Sequence, residues 1–269
     1  MAKEGIKFSG EDSTNYENYL GPLLFEPSAL QFISFLGTAN AESVLETSCG
    51  TGRLTRHLRS YFPETTRIIA SDISPDMLEI AKENMKGSSV DFQIANAQAL
   101  PFPHASFDLV LNQYGFMFLP DKQKGFDEAY RVLKPGGRFI FATWDKSEKV
   151  PLFNLIFNEM VIPQFGEEDT SRFQTPFVLH DPIDLNGYLT KAGFKNPNTF
   201  PIEFKSGHST PDNIVNGYFL KHALGRELLN KNPEAVTPLA KEIHKRIVAD
   251  FGANEIVVDL RAFIGMGQK

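Results

Sequence analysis

Thiols are almost absent from this 269-residue chain. Cys49 is its one cysteine, so no intramolecular disulfide can brace the fold, and a reducing compartment suits it. No stretch approaches the ~20 apolar residues of a spanning helix, and the opening Met-Ala-Lys-Glu-Gly-Ile-Lys lacks the apolar run of a signal peptide. The expectation is a soluble cytoplasmic protein with no membrane span. Positive charge is also short, since 27 Lys and Arg against 33 Asp and Glu leave a net charge of −6. With no basic stretch interleaved with aromatics, a nucleic-acid partner is not expected. His57, His104, His180, His208, His222 and His244 show no metal-ligand spacing, and no metal is expected. Internal repeats and low-complexity tracts are missing as well.

What is present is apolar and aromatic. At 42% apolar residues the chain can fill the core of one large α/β domain or of a domain with a sizeable insertion. Its 24 phenylalanines suit a well-filled core better than an aromatic substrate chamber. Apolar runs at Ser43–Glu46, Arg67–Asp72, Val90–Ala95, Phe107–Gln113 and Arg138–Trp144 alternate with helical patterns. Ser74-Pro75-Asp76 supplies an N-cap, a first-turn proline and an acid matched to the helix dipole. Asp121 can cap a helix carrying Phe126, Tyr130 and Leu133, which Pro135-Gly136-Gly137 would end. Strands joined by crossover helices predict a parallel sheet covered on both faces, with ligands outside the carboxyl ends of its strands. Glu46, Asp72, Asn96 and Asn112 all fall at such ends.

The turn over residues 44–58 is the most informative segment. An apolar strand ends in Glu46, turns through Gly50 and Gly52, and opens into a helix with Leu54, Leu58 and Tyr61 on one face. Glycines let backbone pass close to a ligand, and a helix start presents free N–H groups. A carboxylate facing this loop would repel a pyrophosphate but could accept bonds from an ammonium group or orient the loop. That favours a nucleoside carrying an amino acid over a dinucleotide. Asp72 follows Gly52 by 20 residues, near the ~20 expected of an acid that grips ribose hydroxyls.

Four motifs in order carry a family resemblance: the glycine turn, Ser71-Asp72-Ile73-Ser74-Pro75-Asp76-Met77-Leu78, Asn96-Ala97-Gln98-Ala99-Leu100-Pro101-Phe102 with Ser106-Phe107-Asp108, and Arg131-Val132-Leu133-Lys134-Pro135-Gly136-Gly137. Together they resemble class I S-adenosylmethionine (SAM)-dependent methyltransferases, in particular the small-molecule branch with the ubiquinone/menaquinone-biosynthesis C-methyltransferases. The resemblance is close over residues 15–145. It implies a Rossmann-like α/β fold, with a seven-stranded, mostly parallel sheet, helices on both faces, an antiparallel last strand and helical lid insertions. It also implies SAM as cofactor. Glu46 and the backbone of Ser48, Cys49, Gly50 and Gly52 would hold the methionine moiety, and Asp72 the ribose hydroxyls. Ile73 and Met77 would pack on adenine, Asn96 and Ala97 would read its edge beside Gln98, and Asn112 with Gln113 would line the methyl-donor end. Tyr16 and Tyr19 either close over the cofactor and acceptor or pack their helix on the core. The family usually has glycine at position 48 and aspartate at 96, so this chain departs at both.

The implied organisation is a single domain over residues 1–269: a helical cap at 15–37, a SAM-binding core at 42–144, substrate lids at 145–180 and 210–252, and a C-terminal strand at 255–265. Tyr16, Phe153, Phe157, Tyr218, Phe219 and His222 are the expected lining of the acceptor chamber. The function expected is methyl transfer to a small molecule. No catalytic residue is assigned; Tyr16, His208 and His222 are candidate bases by position, should the acceptor need to lose a proton. A noncatalytic SAM-binding protein is one alternative. A nicotinamide-dependent oxidoreductase is a weaker one, because Thr55 stands where a third glycine is needed.

Overall fold

A computed structural model of the chain describes residues 10–37 and 40–269; the opening heptapeptide considered above lies outside them. The strands are β1 (Ser43–Thr47), β2 (Arg67–Asp72), β3 (Val90–Ile94), β4 (Phe107–Gln113), β5 (Leu133–Trp144), β6 (Lys195–Lys205) and β7 (Asp259–Gln268). They form one sheet in the order β3-β2-β1-β4-β5-β7-β6. β1 through β5 pair in parallel, and β7 runs antiparallel to both β5 and β6. The order reverses at β1, flanked by β2 and β4, so the loops after β1 and β4 leave the sheet in opposite directions and open a crevice at its carboxyl edge.

The helices begin with a continuous N-terminal rod: α1 (Glu11–Asn15), a π-helix over Tyr16–Phe25, and α2 (Glu26–Ile33). The core contributes α3 (Arg53–Tyr61), α4 (Pro75–Asn84) and α5 (Lys122–Val132). The expected caps form, for Ser74 Oγ accepts the Met77 N–H and Asp121 accepts the Lys124 N–H. Leu133, expected on the helix, instead opens β5 and pairs with Phe107, so the proline and glycines lie within the strand. Beyond β5 come α6 (Pro151–Phe153), a second π-helix over Asn154–Val161, α7 (Ile162–Thr170), a 3₁₀ stretch over Ser171–Phe177 and α8 (Pro182–Ala192). The polar segment after residue 160 is therefore mostly helical. Between β6 and β7 lie α9 (Pro211–Val215), a third π-helix over Asn216–Leu220, α10 (Ala223–Lys231) and α11 (Pro233–Phe251). The insertion before the final antiparallel strand is as anticipated, although that strand runs later than 255–265.

Phenylalanines divide between two places. Phe107, Phe116, Phe126, Phe139 and Phe141 are fully buried against the sheet, with Phe126 edge-on to both Phe139 and Phe141. A second set faces the crevice, so the expectation that they serve the core alone is half met. β7 pays for its central place with glycine: Gly265 pairs with Phe141, and a Cβ there would come within 2.1 Å of its ring. Gly265→Ala should overpack this strand at a cost of about 1–3 kcal/mol, lowering the melting temperature by several degrees with no change in far-UV circular dichroism. An unchanged melting temperature would show that the ring moves aside freely.

Candidate functional site

Ser48 leaves β1 with φ +54°, a left-handed conformation in which glycine is unstrained; this accounts for the usual residue at that position. Its side chain turns toward Gly115 on the loop after β4, where a Cβ would lie 2.3 Å from Ser48 Cβ. Gly115 thus makes room for the serine. Asn112, at the end of β4, donates to the Thr47 carbonyl at 2.9 Å and accepts the N–H groups of Gly115 and Phe116 at 3.0 and 3.2 Å. It clamps the turn from behind instead of lining the methyl-donor end.

Asp72 ties the next two loops together. One carboxylate oxygen accepts the Gly50 N–H at 2.8 Å and the other the Ser74 N–H at 2.9 Å. The Ile73 backbone also bonds this carboxylate, whose two oxygens together have about four acceptor positions, so capacity remains. Beside it Ile73 is 65% exposed, an apolar side chain lying open next to a buried charge. Met77, Ala97, Asn96 and Gln98 continue this wall. Asn96 Oδ1 is already engaged by the Gln98 N–H at 2.9 Å, so its amide closes a turn as well as facing the cavity. A divalent oxygen site next to an apolar slot fits a ribose and a purine.

Glu46 lies deeper than expected. It accepts Thr55 Oγ1 at 2.6 Å beneath the loop, and it does not line the cavity. Thr55, which argued against a dinucleotide, is thus the partner of the carboxylate that made the same argument. Burial, with the Asp72 charge adding to it, pushes Glu46 up to about 8. Burial likewise raises Asp72 and the Cys49 thiol, so Cys49, packed with Ala70 and Leu78 behind the loop, is no nucleophile. Gly52 is also behind the wall, its Cα facing Ala81 of α4.

The crevice opens into a cavity of about 570 Å³, within the range of ligand pockets. Of the expected acceptor residues it gathers Tyr16, Phe153, Phe157, Tyr218 and His222, with Gln113 between them and the loop. Phe219 points away and is fully buried, and Tyr19 turns to the lid, where Lys221 Nζ donates to its hydroxyl at 2.9 Å. Tyr16 thus faces the cavity, whereas Tyr19 does neither of the things weighed for it and ties the N-terminal rod to the lid. His208 pairs with Glu255 at 3.2 Å on an exposed surface and is no base for this cavity. Residues not anticipated complete the walls: Phe25, Tyr114, Trp144, Phe173 and Phe177. Tyr114 stacks on Trp144 at 4.1 Å and its hydroxyl meets Ser28 Oγ at 2.7 Å, while Phe173 stacks on Phe157 at 4.3 Å. Phe173 and Phe177 stand four apart in sequence, the one spacing that could have marked them.

Also unforeseen is the N-terminal rod's hold on the loop. Glu17 accepts Thr51 Oγ1 at 2.6 Å and pairs with the buried Arg53 at 2.8 Å. Gly21 is the point of closest approach, since a Cβ there would strike the Arg53 guanidinium. Among the described residues no cluster of three His, Cys, Asp or Glu side chains could hold a metal ion, and no helix is long and apolar enough to cross a membrane.

A methyltransferase-domain family matches residues 45–141. Over 179 residues the chain is 34% identical to the ubiquinone/menaquinone biosynthesis C-methyltransferase UbiE of Enterobacter sp. (strain 638), covering 62% of this chain and 71% of that one. The corresponding protein of Klebsiella pneumoniae subsp. pneumoniae is 32% identical over 173 residues, 60% of this chain and 69% of its own. Among solved structures, Haemonchus contortus phosphoethanolamine N-methyltransferase 2, in complex with phosphomonomethylethanolamine and S-adenosylhomocysteine, superimposes with a TM-score of 0.61 at 20% identity. That likeness covers 96% of this chain and 57% of the nematode protein, and it concerns the fold alone. A putative methyltransferase from Bacillus halodurans gives 0.57 at 19% identity, over 90% and 98% of the two chains.

The state of Glu46 can be read from stability. Its folded value of about 8 exceeds the ordinary 4.5, so the stability it contributes is complete below pH 4.5 and is lost as pH rises through 8. Glu46→Gln should abolish that loss: parent and variant should melt alike near pH 5, with the variant increasingly the more stable toward pH 8.5. Parallel melting curves across this range would show that Glu46 is ionised throughout.

Proposed function

For a chain that belongs to the class I SAM-dependent methyltransferases and transfers a methyl group from SAM to a small molecule, we propose that the acceptor is an apolar, ring-bearing compound held in the aromatic chamber. The observation that carries this reading is the lining itself: Phe25, Tyr114, Trp144, Phe153, Phe157 and Phe177 surround one end of the cavity, and Asp72 closes the other. The named role of the relatives, in ubiquinone and menaquinone biosynthesis, supports a ring-bearing acceptor for this chain too.

In this reading Asp72 takes the ribose hydroxyls on its remaining acceptor capacity. Ile73, Met77, Ala97 and Asn96 take the adenine, with Gln98 at their edge. The backbone of Ser48 and Gly50, with Gln113, borders the methionine end. Glu46, Cys49, Gly52 and Asn112 hold that loop from behind, and Tyr19 holds the lid. The core at 42–144 thus carries the cofactor, and the lids at 145–180 and 210–252 the acceptor. SAM supplies a methyl group already activated by its sulfonium. The chain's task is then to align the acceptor and keep water out, and alignment alone is worth up to ~7–11 kcal/mol. None of the expected bases is poised to take a proton: burial raises the phenol of Tyr16 and lowers His222 to about 4, and His208 lies with Glu255 on the surface. The net charge of −6 supports a small acceptor over a nucleic acid, and the free Cys49 thiol supports a cytoplasmic setting.

Calorimetry should show SAM and S-adenosylhomocysteine binding with comparable affinity, and NADH not binding. Tight NADH binding with none of SAM would sink the reading. Asp72→Ala should weaken SAM about ten- to a hundredfold, the loss of a charged acceptor. Because Asp72 also holds Gly50 and Ser74, the variant should melt below the parent even without cofactor. Unaltered SAM affinity would remove Asp72 from the ribose site.

A further inference from the structure

Two polar groups in the chamber have no part in the arrangement described so far. Tyr218 is 5% exposed, and its hydroxyl has no hydrogen-bond partner among the described residues. One helical turn later, His222 lines the same cavity. Its Nδ1 accepts the Leu224 N–H at 3.3 Å, serving as the N-cap of α10. An unpaired buried hydroxyl is costly, and here the side chain that carries it lines a cavity.

The hydrogen-bonding sense of His222 follows from its surroundings. Burial, with Arg172 and Arg226 nearby, keeps the imidazole neutral at pH 7. With Nδ1 accepting, the single ring proton belongs on Nε2. The group offered to the chamber is therefore an N–H donor, which a general base is not. Neither arginine lines the cavity: Arg172 is bonded through Nη1 to Glu227 at 2.9 Å, with its Nε buried and unpartnered, and Arg226 is bonded to Glu11 and Asp12. Around these two polar atoms stand Phe157, 6.4 Å from the Tyr218 ring, and Phe173, 5.6 Å from the His222 ring.

We propose that the Tyr218 hydroxyl and the His222 Nε2–H together bind an oxygen substituent on the acceptor ring, and thereby select oxygenated rings over plain ones. This rests on the aromatic chamber being the acceptor site, and it specifies what that site recognises. A site built to bond an oxygen rejects the analogue lacking it, because its own polar groups are then buried unpaired.

2-Naphthol and naphthalene share a ring body and differ by one oxygen. Each is titrated calorimetrically into the full chain saturated with S-adenosylhomocysteine. The parent should prefer 2-naphthol by at least ~10-fold. Tyr218→Phe deletes only the unpartnered hydroxyl, and His222→Asn retains a capping oxygen for Leu224 while withdrawing the donor. Each should reduce the preference to about threefold or less and leave naphthalene affinity within about twofold, a change in selectivity that a merely structural role would not produce. Equal affinity of the two probes for the parent, binding of neither, or a preference that persists in both variants overturns the proposal. Failure of S-adenosylhomocysteine to bind would overturn the cofactor reading instead.

Discussion

Everything at the crevice hangs from the carboxylate of Asp72. It accepts backbone N–H groups from the loop after β1 and from the turn after β2, so the spacing between these loops is set by the width of a carboxyl group. Glu46 lies close enough for the Asp72 charge to raise it, and no basic side chain pairs with either acid among the described residues. With Glu46 raised to about 8 and so protonated at pH 7, the result is a pocket whose negative charge comes from the Asp72 carboxylate, without an ion-pair partner among the described residues. Such a pocket favours a ligand that brings its own positive charge, as a sulfonium carrying an amino acid does, and disfavours a pyrophosphate. Charge alone therefore separates the two nucleotide classes that a glycine turn can serve.

The chamber depends on a second constraint, the phase of its helices. Each of the three π-helical stretches contributes to its walls: Tyr16, Leu20, Leu24 and Phe25 from the first, Phe157 from the second, Tyr218 from the third. A π turn is wider than an α turn and shifts which side chains share a face, and such turns recur at functional sites. Here the shift lets adjacent residues serve different ends. Tyr218 borders the cavity while Phe219 is packed in the core, and Tyr16 borders it while Tyr19 reaches Lys221. Gly217 lets this third stretch press against the N-terminal rod, where a Cβ would come within 2.6 Å of Tyr19 Cβ.

The first five strands were legible because alternation and β-branched runs are local signals, whereas the antiparallel last strand was implied by the family resemblance and only then found by its pattern. Asp72 was legible by its distance from Gly52 alone. Asn112 was not: an amide at a strand end can face a ligand or clamp its own turn, and the choice depends on Thr47 and Gly115 in other segments. Glu46 likewise looks ligand-facing until Thr55 is seen to take its oxygen. The lid aromatics were half legible. Phe153 and Phe157 stand out in an apolar run, whereas Phe173 and Phe177 lie on a short 3₁₀ stretch among polar residues, and their place is fixed only by packing.

The position of β7 has a consequence for the order in which the protein can be built. Among the described residues β6 pairs with no strand other than β7, and β5 also waits for it on that edge. Between β6 and β7 the ribosome must make the whole segment that carries Tyr218 and His222. During that interval the sheet presents one open edge and a nascent strand without a partner, the two features most inclined to pair with other chains. Translation speed through the lid segment therefore bears on whether each molecule completes its own sheet.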